Sequence, residues 1–132
     1  QKALDTTLIK SEEKLRIFLE LTKEWVWELD KEGYYQFSNQ AVTRILGYEV
    51  EEVLGKNFLY FLLPEDRDLM EKRFKENVTQ KQGWVNQTMR FVHKNGTERI
   101  IESNATELLN PQRKLIGFRG TNLNITESKN IE

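Results

Sequence analysis

The stretch Trp25-Val26-Trp27-Glu28-Leu29-Asp30-Lys31-Glu32-Gly33-Tyr34-Tyr35-Gln36-Phe37-Ser38 alternates bulky and polar residues on both sides of a Lys-Glu-Gly break. A period of two, interrupted by a glycine turn, predicts a β-hairpin over residues 25–38. Downstream, Asn39 stands where a short side chain can accept from the first turn of a helix, which predicts a helix over Gln40 to Leu46 closed by Gly47. A second short helix is expected from Val50 to Leu54, ended by Gly55. Glu49, Glu51 and Glu52 form the solvated start of that helix.

Pro64-Glu65-Asp66-Arg67 suits the opening of a longer helix, since proline fits the first turn and acidic residues there complement the helix dipole. Leu69, Met70, Phe74 and Val78 continue it as an apolar stripe to about residue 79. Gln82-Gly83 breaks the pattern. Three strand-like runs follow, at about 84–93, 99–109 and 115–122, separated by Lys94-Asn95-Gly96 and Asn110-Pro111-Gln112. The order of helix, two strands, helices and three strands is that of an α+β fold with an antiparallel sheet.

Upstream of the hairpin, residues 1–23 read as a helix. Leu4, Leu8, Ser11, Leu15, Phe18 and Thr22 are spaced alternately four and three apart, which is a short heptad seam with Ser11 and Thr22 as its polar positions. Two readings stay open from the residues: a dimer contact, with Leu4, Leu8, Leu15 and Phe18 as its seam, or an amphipathic helix lying on its own domain. At the other end, Asn124-Ile125-Thr126-Glu127 resembles a capping box and predicts a helix that leaves the domain over residues 125–132. Gln1 and Glu132 read as cuts within a longer protein.

Composition narrows the chemistry. The chain has 132 residues, one domain's worth, with 20 Lys and Arg against 21 Asp and Glu. A net charge of -1 argues against nucleic acid or an anionic membrane as the main partner, since both demand a basic face. The longest apolar run, Phe58 to Leu63, is far short of the roughly 20 residues that span a bilayer. Without cysteine there is no disulfide, no cysteine-ligated metal and no thiol nucleophile in this chain, which fits a reducing compartment. His93 is the single histidine, so a histidine-rich metal site is excluded; it reads as a surface turn residue. No nucleophile, base and oxyanion donor can be assigned together, so no catalytic residue is expected.

The ordered set of motifs resembles the PAS domain, a sensor module of signalling proteins. Ser11 to Arg16 is similar to the helix that commonly precedes it, and Trp25 to Asp30 with Gly33 to its first hairpin. Asn39, Ile45-Leu46-Gly47-Tyr48 and Glu51-Glu52-Val53-Leu54-Gly55-Lys56 are the most specific match. Pro64-Glu65-Asp66, His93-Lys94-Asn95-Gly96, Gly117-Phe118-Arg119-Gly120 and Asn124 to Glu127 complete it, over roughly residues 11–129. Three positions depart from the pattern: Asn124 where the exit motif has aspartate, Asn95 in a turn that commonly has aspartate, and Thr88 where an acidic residue two before Arg90 is common.

The resemblance implies a PAS fold: a five-stranded antiparallel sheet over residues 24–124, with short helices on one face and the flanking helix in front. It implies a cavity between sheet and helices, with Phe37, Leu46, Phe58, Phe61, Phe74, Met89, Phe91, Asn104 and Phe118 as pocket candidates, each equally a core-packing residue. A heme would need an axial ligand from the long helix, which has no histidine, and a flavin adduct would need a cysteine. No cofactor is therefore expected, although an unknown small ligand fits the family. Non-covalent flavin is an alternative, with Trp25, Trp27, Trp84 and Phe118 to stack on its ring. The implied role is a non-catalytic sensor and relay in the cytoplasm, in a parent that is a histidine kinase or nucleotide cyclase and that is free to carry a membrane anchor elsewhere. It would signal through Asn124, Ile125, Thr126 and Glu127 to a C-terminal output domain. A ligand-free dimerisation or spacer module is the competing role.

Overall fold

The computed structural model describes residues 2–127, with side chains from Lys10 onward. A long helix α1 (Lys2–Leu21) precedes β1 (Trp25–Asp30) and β2 (Tyr35–Ser38). The helical layer follows: α2 (Ala41–Leu46), α3 (Val50–Val53), two 3-10 turns (Phe58–Phe61 and Pro64–Asp66) and α4 (Arg67–Gln80). The chain then returns to the sheet as β3 (Trp84–Val92), β4 (Glu98–Leu109) and β5 (Leu115–Asn124). The sheet order is β2-β1-β5-β4-β3 and every pairing is antiparallel. This is the five-stranded sheet that the motif order implies, with β1 and β5 at its centre.

Alternation along the central strands divides the sheet into two faces. Trp25, Trp27 and Leu29 of β1, Phe118 and Asn122 of β5, and Ile101, Ser103 and Ala105 of β4 are buried on the inner face. Leu46, Val53, Phe58, Phe61, Met70 and Phe74 cover them from the helical layer. The outer face carries the cross-strand pair Glu28 and Arg119, whose Arg119 Nη2 lies 2.8 Å from Glu28 Oε2.

Four local expectations are corrected. Asn39 does not cap α2: the N-cap is Gln40 and makes no side-chain bond, because the Asn39 side chain is used elsewhere. The acidic start of α3 is more than solvated, since the Glu52 side chain reaches back to accept from the Glu49 N–H at 2.8 Å. Pro64-Glu65-Asp66 winds as a 3-10 turn before α4 begins at Arg67. Leu69 leaves the apolar stripe of α4 and is half exposed, while Met70 and Phe74 carry the packing. Gly47 behaves as expected: it ends α2 at a φ of 80°, where its missing Cβ avoids the steric cost of the left-handed region.

Close approach is enforced at Gly120, where both backbone and an indole crowd the Cα. Its partners are Trp27 on β1 and Ala105 on β4, and the Trp27 indole lies across its Cα. A Cβ there would run into the Asn104 carbonyl and the Trp27 ring. Gly120→Ala is expected to destabilise the domain by about 1–3 kcal/mol, the usual range for overpacking a filled core. Urea unfolding of the two proteins checks this; an unchanged midpoint would mean that the indole has room to move.

Candidate functional site

Three places bear on function: the aromatic interior, the junction of α1 with the sheet, and the exit from β5. The interior is built on three indoles. Trp25 Nε1–H donates to Ser38 Oγ at 2.9 Å and Trp84 Nε1–H to Ser103 Oγ at 2.9 Å. Trp27 stacks on Trp84 with ring centroids 5.9 Å apart and an interplanar angle of 19°. Phe74 and Phe118 close the group, each packed against Trp84. Trp25 and Tyr35 lie against one another at 5.4 Å, and burial pushes the Tyr35 phenol well above its ordinary pKa, so it stays neutral. The space left among Trp27, Leu29, Tyr35, Phe58, Trp84, Met89, Phe91, Ser103 and Asn122 is about 10 Å³. The four aromatics that could stack on a flavin pack against neighbouring rings, Trp27 on Trp84 in a stack and Trp25 and Phe118 in tilted or edge contacts.

Seven of the nine pocket candidates belong to this interior: Leu46, Phe58, Phe61, Phe74, Met89, Phe91 and Phe118. Of these, Phe58, Met89 and Phe91 border the remaining space. Phe37 and Asn104 do not belong. Phe37 pairs with Glu28 on the outer face, because the β1–β2 register shifts between Glu28 and Leu29 and puts Tyr35 and Ser38 inside instead. It borders a groove under α1 with Leu15, Leu19 and Val50. Asn104 lies one residue out of phase with Ile101, Ser103 and Ala105 and is therefore on the outer face. There its Oδ1 accepts from the Asn86 N–H at 2.8 Å. Asn86 has a φ of 51° and sits where the β3 register shifts, so Asn104 fastens a bulge that turns Trp84 inward and leaves Val85 79% exposed.

Leu29, Tyr35, Ser103 and Asn122 also line the interior and are not among the sequence-based candidates, and Trp27 and Trp84 enter there only as flavin-stacking aromatics. The signal was present: Ile101, Ser103 and Ala105 alternate with Glu102, Asn104 and Thr106, which fixes the phase of β4.

At the α1 junction Asn39 is the hub. Its Oδ1 accepts from the Val26 N–H at 3.0 Å, and its Nδ2 donates to the Leu19 carbonyl at 3.0 Å and the Glu24 carbonyl at 3.1 Å. One buried amide thus ties the last turn of α1, the linker and β1 to the start of α2. Arg44 adds a bond to the Thr22 carbonyl at 3.0 Å. Among the described residues α1 supplies nothing to the core: Leu15, Ile17, Phe18 and Leu21 are 59%, 54%, 58% and 73% exposed. Over residues 10–21 the helix therefore does not lie with its apolar face on its own domain, with half-buried Leu19 the exception. Leu4 and Leu8 fall within α1, and their side chains lie outside the described residues.

At the exit, Asn124 Oδ1 accepts from the Thr126 N–H at 3.1 Å, as an N-cap does. Thr126 Oγ1 accepts from the Ile100 N–H at 2.9 Å, and the Ile125 N–H donates to the Ile100 carbonyl at 2.9 Å. Thr126 and Glu127 take up helical backbone. The remainder of the expected exit helix, residues 128–132, lies outside the described residues.

Two ion pairs pin edge strand β3 and its turn to the helical layer. Arg90 lacks an acidic neighbour at Thr88, yet it forks onto Asp66, with Nη2 at 2.7 Å and Nε at 2.9 Å, and Glu98 lies at 3.5 Å. Donating to the Asp66 carboxylate raises the guanidinium pKa further. Lys94 Nζ meets Glu52 Oε1 at 2.7 Å, which lowers the Glu52 pKa and raises that of Lys94. His93 lies between these pairs against Gly47, and its Nδ1 accepts from the Asn95 N–H at 3.0 Å. Among the described residues no cluster of His, Asp and Glu is placed to hold a metal ion, and no helix is long and apolar enough to cross a membrane.

The comparisons with known proteins agree with this geometry. The sequence matches the family described as the PAS fold over residues 13–122. It is 32% identical over 88 residues to the aryl hydrocarbon receptor nuclear translocator homolog of Drosophila melanogaster, an alignment covering 67% of this chain but only 14% of that protein. The PAS domain of a Colwellia psychrerythraea protein superposes with a TM-score of 0.77 at 21% identity, covering 91% of this chain and 98% of that one. The PAS domain of an HTR-like protein from Haloarcula marismortui gives a TM-score of 0.75 at 19% identity over 95% of this chain and all of that one (100%).

Two predictions follow from the site. Asn39→Ala removes three hydrogen bonds and is expected to cost about 2–3 kcal/mol. Asn39→Asp keeps the acceptor for Val26 but not the donor to Leu19 and Glu24, so hydrogen exchange should rise in the last turn of α1 more than in β1. Equal loss in both elements would remove Asn39 as the hub. For His93, burial and then the charge of Arg99 hold the pKa below its ordinary value of 6.5. The neutral form is thus favoured by folding, and its contribution is present above about pH 6.5 and lost as pH falls toward the folded-state pKa. Between pH 8 and pH 5 the wild type should lose more urea stability than His93→Gln.

Proposed function

Because the chain belongs to the PAS family, whose members are generally non-catalytic sensor modules of signalling proteins, we propose that it is a contact-driven relay. In this reading α1 of one copy pairs with α1 of a second copy, and a change in that pairing is passed through the sheet to the exit. The observation that carries it is the Asn39 amide, which holds the last turn of an otherwise uncovered helix to β1. β1 pairs along its length with β5, and β5 ends at Asn124 where the exit is bonded to β4. A shift of α1 is therefore imposed on the strand that leads out. Only a difference in contacts between two packings can do this work, and the exposed Leu15 and Phe18 supply one that a partner copy would bury.

The output would lie in the same chain beyond Glu132, with a histidine kinase or a nucleotide cyclase as the class of effector. The domain itself would act in the cytoplasm, without touching nucleic acid or the membrane. An input by ligand alone is less well supported. A tricyclic flavin ring has no room beside Trp27, Trp84 and Phe118 unless they part, since the free interior is about 10 Å³.

Light scattering on the purified chain tests the relay. A dimer is expected, and the double substitution of Leu15 and Phe18 by aspartate should halve the mass while leaving the near-ultraviolet signature of the buried indoles intact. A monomeric wild type, or a dimer that survives both substitutions, would overturn α1 pairing.

A further inference from the structure

We infer that the interior holds a binding site for one water-sized molecule that both accepts and donates a hydrogen bond, placed between Trp27 Nε1–H and Asn122 Oδ1. These two atoms are buried without a partner, although their residues are only 2% and 2% exposed. They need complementary partners: the indole is a donor only, and the amide oxygen is an acceptor. Both residues border the same cavity of about 10 Å³. The register explains why. Trp25 pairs with Asn122 across β1 and β5, and Trp27 is the next inward residue along β1. The amide and the indole are thus diagonal neighbours on one face.

Nothing else on that face satisfies them. Leu29, Phe58, Met89 and Phe91 are apolar, the Tyr35 hydroxyl bonds neither atom, and Ser103, directly opposite Asn122 on β4, accepts from the Trp84 indole. The Ser103 hydroxyl proton is left as a second donor toward the same space. A molecule there would accept from Trp27 and Ser103 and donate to Asn122, which gives it three of the two to four partners that buried waters make. Size sets the identity. Roughly 10–15 Å³ is the least space that holds one water, so the site admits water and excludes solutes of several heavy atoms.

This site is independent of the relay reading, because it concerns the inner face of the sheet and needs no partner copy. Its occupant would join β1 to β5 at the height of the indole layer. The other two indoles supply internal controls, since Trp25 and Trp84 donate to serine oxygens.

The test is magnetic resonance on the nitrogen-15-labelled chain in water. Trp27→Phe identifies the Trp27 indole signal by its loss. In the wild type the Trp27 indole proton is expected to show NOE and ROE cross-peaks of opposite sign to water, the mark of a long-lived bound molecule, while the Trp25 indole shows none. Asn122→Leu should remove the Trp27 cross-peak by deleting the acceptor and filling the space. If that variant does not fold, the wild-type comparison among the three indoles decides. A Trp27 indole proton without a water cross-peak, or one showing a direct scalar coupling across a hydrogen bond to the Asn122 side chain, would overturn the site.

Discussion

Trp25, Trp27 and Phe118 lie at the centre of the sheet almost without solvent contact, and their burial dictates what the rest of the chain must do. A five-stranded sheet with one aromatic face cannot stand alone in water. The segment between β2 and β3 is therefore spent on a lid of short helices whose inward residues are Leu46, Val53, Phe58, Phe61, Met70 and Phe74. Short elements of this kind have little stability of their own. They hold their places because caps and ion pairs fix their ends: Glu49 with Glu52, Asp66 with Arg90, and Glu52 with Lys94. The pairs lie at the margin of the lid, where partial hydration limits what each contributes. Their effect is to set where the lid sits on β3.

In the proposed relay the same burial would let the central strands transmit rather than absorb displacement. β1 is bounded by β2 and β5 on its edges and by the lid on its inner face, and Gly120 lets the Trp27 ring lie directly on the β5 backbone. A close-packed core has no slack in which a shift of one strand could be lost. Asn39 then matters through its position. It bonds to α1, to the linker and to β1 at once, so the helix cannot move at its base without moving the strand.

Much of this was legible in the sequence, and the failures have physical causes. The hairpin of Trp25 to Ser38, the turns at Gly47 and Asn95-Gly96, and the three late strands are encoded by local pattern and turn chemistry, and each is present. The seven interior candidates from Leu46 to Phe118 are large apolar residues, for which burial is the default. Phe37 and Asn104 fall outside the interior because period-two alternation carries no information about bulges or about which face is inward: one register shift beside Leu29 reverses Phe37, and Asn104 alternates with the buried Ser103 and Ala105. Asn39 was read as a helix cap because an asparagine before a helix is commonly one. Its actual partners at Leu19 and Glu24 come from an element that local pattern cannot place. The Asp66 partner of Arg90 lies 24 residues away and was equally invisible.

The contrast between the two ends of the domain bears on direction. At the entrance the link is chiefly one side chain carrying three bonds, with a single bond from Arg44 beside it, and the helix it holds exposes Leu15 and Phe18 to whatever approaches. At the exit the link is distributed: Thr126 Oγ1 and the Ile125 N–H both bond the backbone of Ile100, and Asn124 bonds Thr126 in turn. A single hub beside an uncovered helix yields first under load. A backbone pairing continuous with β4 and β5 yields last and carries the orientation of the sheet outward. In the proposed relay this asymmetry would make α1 the place where a signal enters and Asn124 the place where it leaves.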